Sequence, residues 1–298
     1  MGDVLAGIHA TWEFESDSVL IRFERGIRTP KLFQALRERR VPHKALASVT
    51  LSPGKRGTVV LHAVPRPGAD PLMEAAAGQL KDSGDPYRLV LPAERETLAE
   101  YYADELRTAL AGTAPLDEKE PADRFLVAAP PAPLNFKAYD GKASFDGSKV
   151  SFRWFWTGAS SAKWKAGDQR FGVSELCGVE WRSPEVFDGY LRLLRRDDRR
   201  QPAQADHDPA TVVFGLGYGP VHESLPFAAA VLAAVRTSGA GPAVSAGPGS
   251  VPVPVPASAR PDPADIAERI RHLGELHDAG LVTDDEFSAK KAELLAEL

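Results

Sequence analysis

Two stretches of sequence decide the fold: Phe14-Glu-Ser-Asp-Ser-Val19-Leu-Ile-Arg22-Phe23 and Phe145-Asp-Gly-Ser-Lys-Val150-Ser-Phe-Arg153-Trp154. The second repeats the first about 130 residues further on, and another pair of blocks keeps nearly the same offset. These are Val41-Pro-His-Lys-Ala-Leu46-Ala-Ser-Val49-Thr-Leu51 and Phe171-Gly-Val-Ser-Glu-Leu176-Cys-Gly-Val179-Glu-Trp181. Two separate blocks at one spacing are hard to reach by chance, so the chain is read as a duplicated domain, over 1–125 and 130–238. In the first copy Val19, Ile21 and Phe23 alternate with Ser18, Leu20 and Arg22; in the second, Val150, Phe152, Trp154 and Trp156 alternate with Ser151, Arg153 and Phe155. A period of two means strand, with the first-named residues of each set on a buried face.

Further short β-branched or aromatic runs follow in each copy, at 58–64, 87–91, 190–194 and 211–214, bounded by Gly, Pro and Asp. Each copy then closes on a helix. Leu98, Tyr102, Leu106 and Leu110 recur at i+4 in the first, and 225–236 is an Ala-rich apolar run in the second. Strands sealed by one C-terminal amphipathic helix follow the plan of a pleckstrin-homology-like roll. Proline-rich stretches fall at 128–133 and 239–263; the second, holding Val251-Pro-Val-Pro-Val-Pro256, offers little to bury and is expected to be a disordered, semi-extended linker. Beyond it Ile266, Ile270, Leu273 and Leu276 follow helical spacing, Gly280 suits a helix C′ position, and Thr283 with Glu286 makes a capping box. Phe287, Leu294 and Leu295 continue an apolar face. A hairpin over 264–298 is too short to be stable alone, so it is expected to self-associate or dock through Ile266, Ile270, Leu273, Leu276, Phe287, Leu294 and Leu295. The expected fold class is therefore α+β: two tandem pleckstrin-homology-like β-rolls, each capped by a C-terminal helix, then a flexible linker and a two-helix hairpin.

Charge separates along the same boundaries. The 298 residues carry a formal net charge of -5. Residues 262–298 hold ten acids and four bases, so the remainder is close to neutral, which argues against bulk nucleic-acid binding. A single cysteine, Cys177, excludes a disulfide framework or a Cys-rich zinc site, and its place in an apolar block predicts a buried small side chain. The opening MGDVLAGIHATWEFE lacks a basic segment followed by an apolar one, and no apolar run approaches membrane-spanning length, so a cytoplasmic protein is expected.

The C-terminal pattern, with its Gly280-Leu281-Val282-Thr283 turn, Glu286-Phe287, Lys290-Lys291 and Leu294-Leu295, resembles the short C-terminal domain SHOCT. The body, with Asp-Pro-Tyr87-Arg and Gly178-Val179-Glu180-Trp181, resembles an actinobacterial domain-of-unknown-function family, number 4429, which is often duplicated and followed by that tail. The resemblance implies this architecture and an oligomerisation role for the tail. It brings no activity, cofactor or catalytic residue.

Several motifs invite chemistry. Gly215-Leu-Gly217-Tyr-Gly219-Pro220 sits between a strand and a helix, but its spacing fits neither a dinucleotide fingerprint nor a P-loop, and it is read as a turn. Asp206-His207-Asp208 lies in an Arg-rich stretch and is read as a solvated loop rather than a metal site. Trp154 and Trp156 are expected in the core, and Trp164 is the one tryptophan expected as an exposed anchor. Between Arg22 and Lys44 eight bases face two acids, and in pleckstrin-homology-like domains the loop after the first strand is a common site for anionic head groups. Arg25, Arg28, Lys31, Arg39, Arg40 and Lys44 are thus the candidate anion-binding residues, with a weaker equivalent in Lys163, Lys165 and Arg170. The sequence points to a non-enzymatic adaptor without cofactor or metal, acting through a protein partner or self-association; the alternative is a peripheral sensor of anionic lipid or another anion.

Overall fold

The alternation of apolar side chains becomes strand in both copies. The computed structural model describes residues 3–112, 121–186, 188–197 and 204–239. In the first copy β1 (Asp3–Ala6), β2 (Ala10–Phe14), β3 (Ser18–Phe23) and β4 (Glu38–Pro42) form a four-stranded sheet in that order. β5 (Leu46–Pro53), β6 (Thr58–Pro65) and β7 (Arg88–Pro92) form a three-stranded one. The second copy repeats both: β8 (Leu134–Lys137), β9 (Gly141–Phe145), β10 (Lys149–Trp154) and β11 (Gln169–Gly172), then β12 (Leu176–Arg182), β13 (Tyr190–Arg195) and β14 (Thr211–Val213). Register repeats as well. Val19 pairs with Val41 as Val150 pairs with Phe171, and Leu61 pairs with Leu89 as Leu191 pairs with Val212. Each copy breaks register at the same place, between Leu46 and Ser48 and between Leu176 and Gly178. All pairing among the named strands is antiparallel, and the fold is α+β.

Five α-helices are added among the described residues: α1 (Lys31–Leu36), α2 (Pro71–Ala76), α3 (Glu96–Gly112), α4 (Ser161–Ala166) and α5 (Val221–Thr237). α3 buries Ala99, Tyr102, Ala103 and Leu106, the spacing of one helical face, and Tyr102 stacks on Phe14 with ring centroids 4.4 Å apart. Leu98, expected on that face, is exposed, because the buried stripe runs one residue later, through Ala99. α5 is apolar nearly all round, with Leu225, Phe227, Ala228, Ala229, Ala230, Val231 and Val235 buried. A helix of that kind needs cover on more than one side.

The cover comes from the other copy. Leu32 of α1 and Leu72, Ala75 and Ala76 of α2 belong to the same core cluster as α5 and the second copy's sheets. Gln79 seals the junction from both ends of its amide: Nε2 donates to the Trp181 carbonyl and Oε1 accepts from Ser183 N, both at 2.9 Å. Arg236 Nη1 donates to the Gly68 carbonyl at 3.0 Å, and Leu126 N and Val127 N both donate to the Ala69 carbonyl. The proline-rich stretch at 128–133 therefore separates two copies that belong to one compact unit, Met1–Ala243. The linker from 240 onward and the expected hairpin at 264–298 lie outside the described residues.

Candidate functional site

The basic segment of the first copy runs through the loop 24–30, α1 and β4. Strand alternation sorts its side chains. In β4, Glu38 and Arg40 face out while Arg39 and Val41 face in. Arg39 thus leaves the expected anion-binding set: its side chain is 5% exposed, and Nη2 donates to Asp70 Oδ1 at 2.7 Å. Asp70 Oδ2 accepts from the Tyr87 hydroxyl at 2.8 Å, and Asp70 Oδ1 also caps α2 by accepting from Leu72 N at 2.9 Å. Burial raises the Tyr87 hydroxyl well above its ordinary range, with the Asp70 charge adding to it. For Arg39 burial works to lower the pKa, but the Asp70 carboxylate and the Tyr87 hydroxyl together outweigh it, and the guanidinium stays charged. Arg40 is exposed but paired with Glu15, and Arg22 is paired with Glu13 at 2.6 Å. Arg25, Arg28, Lys31 and Lys44 are exposed and enter no ion pair among the described residues. Ile27, between the first two of these, is fully exposed at 105%. In the first turn of α5 burial lowers the pKa of His222; Glu223 opposes this, and the charge of Lys31 adds to the lowering.

In the second copy the equivalent loop, 155–160, leads into α4. Lys163 is not a surface base. It is fully buried, its Nζ lies 2.5 Å from Asp140 Oδ2, and it stands 5.1 Å from the centre of the Trp154 ring. Burial raises the Asp140 pKa against the opposing pull of Lys163. Trp154 is core, as expected, and its Nε1 donates to the Gly167 carbonyl at 2.8 Å. Trp156 departs from expectation at 69% exposed, because β10 ends at Trp154 and the next residues turn outward. Trp164 is exposed and meets Trp156 edge to face, with centroids 6.0 Å apart. Lys165 and Arg170 are also exposed. On the outer face of this sheet a shallow depression of about 300 Å³ is lined by Asn135, Lys142, Ser144, Asp146, Lys149 and Ser151. Ser148 N and Lys149 N both donate to Asp146 Oδ1 at 2.7 Å, and these bonds hold its carboxyl below the usual range.

The remaining motifs are structural. Asp208 accepts from Thr211 Oγ1 at 2.6 Å, Ala210 N at 2.9 Å and Arg192 Nε at 3.1 Å, so the loop expected to be solvated is half-buried and bonded. The glycine-rich segment is a tight turn. Gly219 has φ +66°, and a Cβ there would come within 2.2 Å of the Phe214 ring, so glycine is required. Cys177 is half-buried rather than buried, with Sγ donating to the Leu194 carbonyl at 3.4 Å. No cluster of three metal-ligating side chains occurs among the described residues. No helix among them is long and apolar enough to cross a membrane. The sequence-predicted docking residues Ile266, Ile270, Leu273, Leu276, Phe287, Leu294 and Leu295 lie outside the described residues.

No curated protein matches the chain. A family described as a domain of unknown function (DUF4429) matches twice, at residues 12–107 and 143–232, which coincide with the two structural copies. A family described as a short C-terminal domain (SHOCT) matches residues 268–295. With both copies matched and well over half of its length covered, the chain belongs to the DUF4429 family.

Proposed function

We propose that the chain is a non-enzymatic binding protein, in which two pleckstrin-homology-like rolls act as one rigid body and the C-terminal short domain self-associates or docks. Four strands, three strands and a closing helix in each copy support the roll. One observation carries the binding reading. The buried charges of the body pair with one another, Arg39 with Asp70, Lys163 with Asp140 and Arg192 with Asp208, while unpaired bases and aromatic side chains face outward. Charges closed on each other hold the fold; presented charges recognise partners. Each Leu, Ile or Phe that the tail hides contributes about 1.5 to 3 kcal/mol, so pairing of two tails is a natural way to cover its apolar faces. Multi-angle light scattering tests this: full-length chain is expected to be oligomeric at tens of micromolar, and chain cut after Gly239, or carrying Leu273→Asp with Phe287→Asp, monomeric. A monomeric full-length chain, or a truncated body that stays oligomeric, removes the role of the tail.

A second reading, a peripheral sensor of anionic lipid or another anion through the first copy, is favoured by Arg25, Arg28 and Lys31 standing exposed around Ile27. Arg39 and Arg40 fall outside it, one buried with Asp70 and the other paired with Glu15. Arg25→Gln with Arg28→Gln is expected to abolish such binding and leave the melting temperature unchanged.

A further inference from the structure

The two copies differ in charge on the same sheet face. In the first, Arg22 is balanced by Glu13 at 2.6 Å and by Glu38 at 3.8 Å. In the second, Lys137 lies directly across from Lys142, and Lys142 directly across from Arg153, so one row crosses three strands with only positive charge. Like charges directly opposite on a sheet destabilise it. None of the three enters an ion pair among the described residues.

That row lies at the end of the roll where four exposed aromatic side chains and one leucine gather. Tyr139 N donates to the Val213 carbonyl at 3.0 Å, and Phe155 N donates to the Asp140 carbonyl at 2.9 Å. Gly219 N donates to the Lys137 carbonyl at 2.7 Å. These bonds tie the β8–β9 turn, the loop into α4 and the turn into α5 to one end. The Tyr139 and Tyr218 rings meet with centroids 6.3 Å apart, as Trp156 meets Trp164. Leu216, at the apex of the glycine-rich turn, is fully exposed at 103%. Single apolar residues on a surface need no explanation, but a cluster at one end of a domain marks an interaction site. Trp and Tyr favour the head-group layer of a bilayer, a leucine favours the layer beneath, and bases beside them favour anionic lipid. Lys165 on α4 adds a further exposed base.

We infer that this end of the second copy is an interfacial anchor for an anionic lipid bilayer, with Trp156, Trp164 and Leu216 entering the interface and Lys137, Lys142 and Arg153 meeting lipid phosphates. The inference adds a partner to the binding body proposed above and is independent of the tail and of the first copy's basic loop. The contact is peripheral and depends on salt. Full-length protein is mixed with vesicles of phosphatidylcholine alone, or of phosphatidylcholine with phosphatidylglycerol, and sedimented at low and high salt. Binding is expected to the anionic vesicles, to fall at high salt, and to blue-shift tryptophan emission, since Trp12, Trp154 and Trp181 are already buried. Trp156→Ala with Leu216→Ser should weaken binding about tenfold, and Lys142→Gln or Arg153→Gln about fivefold each. All four positions are at least partly exposed, and unchanged near-UV circular dichroism checks that the variants fold. The inference is overturned by absence of binding to anionic vesicles at low salt. It is equally overturned by undiminished binding in these variants, by loss only in Arg25→Gln with Arg28→Gln, or by retention of single-stranded nucleic acid in place of vesicles.

Discussion

Positions 33 and 163 occupy the same place in the two copies and solve it with different chemistry. Phe33 stacks on Phe23 with centroids 4.6 Å apart, whereas Lys163 sits beside Trp154 and needs Asp140 as counterion. The residue matching Asp140 in the first copy is His9, whose Nδ1 lies 3.4 Å from Thr29 Oγ1. Lys163→Met leaves the Asp140 carboxylate buried without its partner and should cost about 3 to 5 kcal/mol in urea unfolding. Lys163→Met with Asp140→Asn keeps an acceptor for Val213 N and is expected to return to within about 1 kcal/mol of the parent. A single variant as stable as the parent would show that the pair is not needed. Acid sensitivity belongs to the same scale. Burial lowers the pKa of His222, Lys31 adds to this and Glu223 opposes it; burial likewise lowers His43, with Asp17 opposing. A folded pKa below the unfolded one means that the unfolded chain takes up the proton first. Stability is therefore complete above the ordinary value of 6.5 and declines as pH falls below it toward the folded values. The melting temperature should drop across that window, less steeply in His222→Gln; an unchanged slope would remove His222 as a cause.

At the scale of elements, α2 is the piece that makes two copies one body. Asp70 caps it, Arg39 and Tyr87 hold Asp70, and Leu72, Ala75 and Ala76 present a face to α5 narrow enough for close approach. Both sides of α5 are thereby dry, which is why its sequence lacks a polar face. Ala75→Asp would place an unpaired charge in this interface. Calorimetry of the body cut after Gly239 should then change from one cooperative transition to two, separating the copies. A single transition at unchanged temperature would mean that the α2–α5 contact does not couple them.

For the whole molecule, charge is divided between a nearly neutral body and an acidic tail. Screening therefore acts in opposite directions on the two proposed contacts. Self-association of tails that hold ten acids each should strengthen with salt, and bilayer binding by the second copy should weaken. Light scattering and vesicle sedimentation across one salt series check both, and parallel trends would show that one interaction depends on the other.

Duplication, strand alternation, the closing helices and the tail motif were legible in the sequence, because each is written in residues two to four apart or in blocks at a constant offset. Tertiary structure alone decided which bases are surface and which are core. Arg39 and Arg40 are neighbours of the same type, and what separates them is Asp70, brought from 31 residues away. Lys163 looks like a surface base between Ala162 and Trp164, and only the fold brings Asp140 to it from 23 residues away. The aromatic end of the second copy and the joining of α2 to α5 were equally unreadable. They depend on turns and helices distant in sequence meeting in space, and local periodicity carries no record of that.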